Sequence, residues 1–243
     1  LGRNLEAPFE EGAPRTASLY RARGDEVSAT RPIFTGDVFE GLQLPGKTGK
    51  VKSRSVIVLQ HPCSMRTNGV DLGWQVLVAE VSRRKEISEE EWSTGYFNLM
   101  PLPDLKLASH ASGHYAANFD DLYVVKPGEL STRVASLSPF GVNLLLQRWV
   151  HYSSRVVVPT DDFQQQTHAF YEEADLAEEW CDEISSDDLR ADAEAFVRWL
   201  RTDRGGSNYQ EQLRDQQSHS IIRKAMRTQL KALRQDGGAG AGG

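Results

Sequence analysis

Four side chains of the types that bind soft metals or share protons fall in two short segments. His61 and Cys63 lie in "HPCSMR", and His110 and His114 bracket "HASGH". Imidazole and thiolate ligands in that number suit a tetrahedral zinc site if the two segments meet. The Gly- and Ser-containing stretch between His110 and His114 does not fix both rings on one helical face, and ordinary loop side chains meet the same spacing. No metal and no other cofactor is assigned. Cys63 as a nucleophile needs a base or a cation beside it. His61 and Arg66 are its neighbours in sequence, but Pro62 equally suits a turn that ends the preceding strand.

A second pattern is Gly41-Leu42-Gln43-Leu44-Pro45-Gly46-Lys47-Thr48, which fits G-x-x-x-x-G-K-[ST]. A phosphate-binding loop of that type works because it opens a helix whose N–H groups hold the phosphate. Thr48 is followed by Gly49 and then by a β-like run, which leaves no room for such a helix. The reading is a hairpin loop. Its cations form a third pattern: Lys47, Lys50, Lys52 and Arg54 cluster there, with Arg66, Arg83 and Arg84 after neighbouring strands. If those strands are adjacent, the cations share one rim and present the charge needed to hold a phosphate backbone. A solvated loop set meets the same pattern.

The elements that must position these residues are short and β-like from Pro32 onward. Candidate strands cover 33–42, 54–60, 74–81, 95–100 and 122–126, each rich in β-branched or aromatic residues and separated by Gly, Pro or Asn. Short strands without regular intervening helices predict a small antiparallel barrel. Ser138-Pro139 then supplies an N-cap and a first-turn proline for a helix with Val142, Leu145, Leu146 and Trp149 on one face, expected to close the barrel.

After residue 160 the period becomes helical: Phe170, Ala174, Ala177, Cys181 and Ile184 recur on one face. A second helix is expected after Asp187-Asp188, stopped by Gly205-Gly206, and a third from Ser207, capped through Gln210, to about Asp236. Arg223, Arg227, Lys231 and Arg234 form a basic stripe on that last helix, for which the acidic helix of the same chain is a partner. The organisation expected is a mobile arm over 1–30, a barrel over 31–160, a helical extension over 161–236 and a flexible tail over 237–243.

Composition narrows the class. The 243 residues carry 28 Lys+Arg against 34 Asp+Glu, so this is not a generally basic protein. The charge is uneven: residues 1–160 hold 18 bases and 17 acids, whereas 161–194 hold 13 acids and one base, Arg190. Two cysteines 118 residues apart fit reduced thiols in a cytoplasm. No run reaches the length of a membrane span and no signal peptide opens the chain, so the expectation is a soluble intracellular protein without a membrane partner.

"TGDVFEGLQLPG", then "RSVIVLQ", then "WQVLVAEVSRR" resembles the opening of the MazF/PemK-type toxin family, SH3-like barrels that include ribosome-independent endoribonucleases. The resemblance covers about 31–158, with "SLSPFGVNLLLQRWV" in place of the family's C-terminal helix. It implies an α+β fold: an SH3-like antiparallel barrel closed by a helix, followed here by a helical extension the small toxins lack. Gly36 and Asp37 match the family's first motif, Arg54 matches the Arg that stabilises charge at phosphorus, and Ser82 falls where the family has a Thr. Ser55 stands in place of the family's Pro, and Glu80-Val81 in place of its Pro-x.

The implied chemistry is metal-independent RNA cleavage, with a base taking the ribose 2′-OH proton. His61 is the substitute base this sequence offers. Lys47, Lys50, Lys52, Arg66, Arg83 and Arg84 are the expected nucleic-acid contacts. The function expected is therefore a nucleic-acid-directed protein of the toxin or defence type, regulated in cis by its acidic helix. The alternative is a non-catalytic module that binds a protein partner or a second copy of itself.

Overall fold

The computed structural model describes residues 5–6, 9–10, 13–14, 19–46, 48–107 and 113–239. Lys47, His110 and the last four residues of the expected tail lie outside them. The chain divides into two compact units. One holds Leu1–Val27, Ile33–Met65 and Leu72–Gln166, the other Ser28–Pro32, Arg66–Asp71 and Thr167–Gly243.

In the first unit β1 (Phe9–Glu10) and β2 (Ala13–Pro14) pair as a small ladder. The main sheet contains β3 (Tyr20–Arg23), β4 (Asp37–Pro45), β5 (Val51–Val58), β6 (Val76–Arg84), β7 (Leu99–Leu102), β8 (His114–Val125) and β9 (Thr132–Leu137). Its order is β3-β9-β4-β5-β6-β8-β7, and every pairing is antiparallel. The two edge strands, β3 and β7, are not joined to each other among the described residues. The closed barrel expected from sequence is thus an open seven-stranded sheet. Within the stretch expected to be an arm, Tyr20–Arg23 pairs with β9, and Leu5, Leu19 and Tyr20 are buried.

Alternation explains the core. Val56 and Val58 on β5 lie opposite Glu80 and Val78 on β6, and their face gathers Phe39, Leu42, Leu44, Val76 and Val125 into one apolar cluster. The β4–β5 register shifts between Phe39 and Leu42, where Gly41 takes a φ of 85°. That bulge returns Leu42 and Leu44 to the core face. Gly36 has a φ of 85° as well, and an added Cβ would meet Leu137 at 3.0 Å. Asp37 beside it is buried: its Oδ2 accepts from Phe34 N at 2.8 Å and lies 3.3 Å from Arg133 Nε. This carboxylate therefore fixes the entry into β4.

Helices accompany the sheet at α1 (Pro62–Met65), α2 (Glu89–Thr94) and α3 (Pro139–Ser154). Ser138 Oγ accepts from Gly141 N at 3.1 Å, so the N-cap and Pro139 stand where their types predict. Arg148 of α3 is fully buried. It donates to Leu99 O at 3.1 Å and to Trp92 O, and its guanidinium lies 4.9 Å from the Trp92 ring centre. Burial pulls its pKa down to about 10, so the group stays cationic at neutral pH.

The second unit is helical. α4 (Thr160–Ile184) begins in the first unit and continues into the second, followed by α5 (Leu189–Arg201), α6 (Tyr209–Gln212) and α7 (His219–Ala239). Trp180, Phe196, Leu200, Leu213, Ile222 and Met226 form its core. The third helix expected from Ser207 is interrupted instead. Asn208 caps α6 by accepting from Glu211 N at 2.9 Å, and Asp215 then accepts from Gln217 N before α7 begins. Short polar side chains that bond nearby N–H groups stop one helix and start the next. α7 also runs past Asp236, to Ala239.

Candidate nucleic-acid interface

One face of β5 and β6 changes character along its length. At one end Val58 and Val78 sit in the apolar cluster, and one step on Val56 lies opposite Glu80. By alternation Arg54 shares the face of Val56, and Ser82 the face of Glu80. Arg54 and Glu80 form an ion pair with both side chains mostly buried, at 17% and 15% exposure. Tyr123 Oη stands 3.2 Å from Glu80 Oε2 and 3.1 Å from Pro45 O. Burial and the Glu80 carboxylate both push the phenol's pKa up, which keeps it a neutral donor.

Gly46 closes over the pair. A Cβ there would come within 2.6 Å of Arg54 Nη2, so the turn accepts only glycine while the guanidinium keeps its place. The turn itself is closed by Gly46 N donating to Lys50 O at 2.9 Å and Gly49 N to Gly46 O at 2.8 Å. Val51 then opens β5, so the stretch that fits the phosphate-loop pattern is a hairpin with no helix behind it.

Beyond the pair both strands run on to the same end of the sheet. β5 carries Lys52, with Lys50 just before it, and β6 carries Arg83 and Arg84. All four are exposed, and none has a carboxylate partner among the described residues. Alternation puts Lys52 and Arg84 on the face of Arg54 and Ser82. Like charges held at one sheet end repel, at a cost that a bound polyanion removes. The arrangement runs from apolar core, through a neutralised Arg–Glu pair, to an unneutralised cationic rim.

The expected catalytic set does not converge as a whole. Arg54 and the half-buried Ser82 lie on neighbouring strands toward the cationic end. His61 follows the other end of β5, where Leu59 N donates to Leu77 O. Four strand steps from Arg54 to Val58 already span roughly 13 Å. His61 contacts Cys63 instead, with Nδ1 2.9 Å from Sγ, and burial lowers the pKa of its ring. Arg66 belongs to the second unit, where it, Gln210 and Arg201 oppose the upward push of burial on the Glu173 carboxyl. His114 pairs with Arg84 at the cationic end, far along β6 from His61. Among the described residues no group of three or more His, Cys, Asp or Glu could hold a metal ion.

Sequence reasoning missed Glu80 and Tyr123 as members of this cluster. The available signal was an acid interrupting the apolar run of "WQVLVAEV" at a core-facing position. No helix among the described residues is long and apolar enough to cross a membrane.

No protein-family model matches the chain, and neither does any curated protein. Among solved structures, the chain aligns with one described as an endoribonuclease in complex with its cognate antitoxin from mycobacterial species. The alignment spans 53% of this chain and 100% of that one, at 12% identity and a TM-score of 0.35. At that score the likeness carries no argument about activity or partner.

Proposed function

We propose that the first unit is an RNA-directed module of the toxin or defence type, built on its open antiparallel sheet, which holds the phosphate backbone along the cationic end of β5 and β6. The observation that carries the reading is the set of Lys50, Lys52, Arg83 and Arg84, exposed at one sheet end with no carboxylate partner among the described residues. Phosphate contacts of this kind give affinity without sequence information and fall with salt. Cleavage is the stronger form of the same proposal. It requires Arg54 to exchange Glu80 for the scissile phosphate, leaving that carboxylate beside the attacking 2′-OH as a proton acceptor in place of the remote His61.

The test is fluorescence anisotropy of a labelled single-stranded RNA, with gels of the same mixtures. Lys52→Glu with Arg84→Glu is expected to weaken binding by at least about tenfold, since each lost phosphate contact removes a counterion-release contribution. Equal affinity of that variant and the natural chain overturns the proposal. Cleavage by the natural chain but not by Arg54→Ala supports the stronger form, and intact RNA throughout leaves a binding module.

A second reading, a protein-binding module, draws on the second unit. Trp199, Tyr209, Ile221 and Thr228 line a groove of about 510 Å³ with Arg204 and Lys224 beside it, and Ile221 is 66% exposed. We assign the helical extension this assembly role. The masking role expected from its charge fits less well, because Glu172, Asp175, Glu178, Glu179 and Glu183 are engaged by Arg31, Arg223, Arg227 and Arg234 inside the same unit.

A further inference from the structure

The two cysteines have opposite surroundings. Cys181 is buried in the helical core, and burial with nearby Asp192 and Asp182 pushes its thiol up to about 11. Cys63 is exposed on α1, with its Sγ 2.9 Å from His61 Nδ1. The ring's tautomer follows from a second contact. Cys63 N also points at Nδ1, 3.3 Å away, and a backbone N–H only donates. Nδ1 is therefore the unprotonated nitrogen, and the Cys63 thiol is the donor across the shorter contact. That is the polarity of a nucleophile beside its base.

The turn holds this geometry in place. Gln60 Oε1 accepts from Leu77 N at 3.0 Å, Gln60 Nε2 donates to Ser64 O at 2.8 Å, and Thr35 Oγ1 donates to Gln60 O at 2.6 Å. Ser64 N and Oγ both donate to His61 O. The dyad thus stands on a bonded turn between β5 and β6, with its sulfur open to solvent. Burial keeps the imidazole neutral near pH 7, the form that accepts a proton.

We propose that Cys63 is a thiol–disulfide exchange site, with His61 as its base and a low-molecular-weight disulfide as co-reactant. His61 Nδ1 takes the proton from Sγ. The thiolate attacks one sulfur of the disulfide, and the Cys63 mixed disulfide forms as the original S–S bond breaks. The departing thiolate takes the proton back from the imidazolium and leaves as a thiol. One thiol and one disulfide are consumed and one of each is produced, so the exchange needs no other oxidant.

The test uses the full chain under native conditions, with 2,2′-dithiodipyridine and then oxidised glutathione as probes and peptide mass mapping as readout. One thiol per chain is expected to react, at Cys63, with Cys181 reacting only after denaturation. His61→Asn is expected to slow the native reaction by roughly a hundredfold, the lower end of what a positioned general base contributes. A synthetic peptide covering residues 60–66 serves as a second reference that does not depend on the variant folding, and the native chain should exceed its rate. Equal rates in the natural chain and His61→Asn, or in the chain and the peptide, overturn the proposal. So does reaction of both cysteines together.

Discussion

The arginines of the two units have different employment. In the helical unit Arg31 is buried between Asp175 and Glu178 at 2.6 and 2.7 Å, and Arg223, Arg227 and Arg234 of α7 meet the carboxylates of α4. Thirteen acids in 34 residues look in sequence like a reservoir of charge for a partner, yet many are consumed in holding helices together. In the sheet unit the cations at the end of β5 and β6 have no carboxylate among the described residues. Composition counts charge; only placement shows whether it is already neutralised. The more neutral half of the sequence is the one with cations to spare.

The sharpest break of this contrast is Arg31→Ala. It removes the buried cation that Asp175 and Glu178 share, and removing one member of a buried ionic cluster costs about 3–5 kcal/mol. Chemical denaturation followed by the far-UV signal of the helices measures it, and a change within error would show that the cluster contributes nothing. Next in size is the salt dependence of RNA binding. Each of Lys50, Lys52, Arg83 and Arg84 changed to Ala is expected to flatten the slope of log affinity against log salt by about 0.7, the single-strand value per phosphate contact. Thermal midpoints should not fall, since each change removes a like-charge repulsion.

A smaller effect comes from histidine. His61 in the sheet unit and His168 in the helical unit both have pKa values below the ordinary 6.5, each chiefly through burial, with His219 reinforcing the shift at His168. The unfolded chain then binds more protons than the folded one in the window below 6.5. Stability is intact above that value and declines as pH falls through the window to the folded-state pKa. Asn at either position should reduce the loss of thermal midpoint between about pH 7.5 and about pH 5, a range that brackets the ordinary histidine value. The smallest effect is Arg227→Ala: the exposed Arg227 head is screened by solvent and Glu179 keeps Arg223 as a partner, so the midpoint should hardly move.

Much of the frame is legible in the residues. Runs rich in β-branched and aromatic residues mark β4, β5 and β6, and Ser138-Pro139 and Asp188 mark helix starts where the caps form. What stays hidden depends on contacts distant in sequence. β3 is four residues long and becomes a strand through pairing with β9. β8 runs from His114 to Val125, but its register shift opposite Ala79 and Glu80 breaks the alternation, so only its last residues read as a strand. The Arg54–Glu80–Tyr123 cluster joins three strands, and neither charge nor spacing announces it. The His61–Cys63 contact is local, yet it depends on a turn whose geometry Gln60 and Thr35 help fix.

The grading of β5 and β6 from apolar cluster to cationic rim also bears on how this chain can vary. Substitutions at 56–58 or 76–79 disturb the packing on which folding rests, whereas 50, 52, 83 and 84 bear none of that duty. A combinatorial library confined to those four sites should yield mostly folded proteins, so the charge of this sheet end can vary without eroding the stability of the strands that carry it.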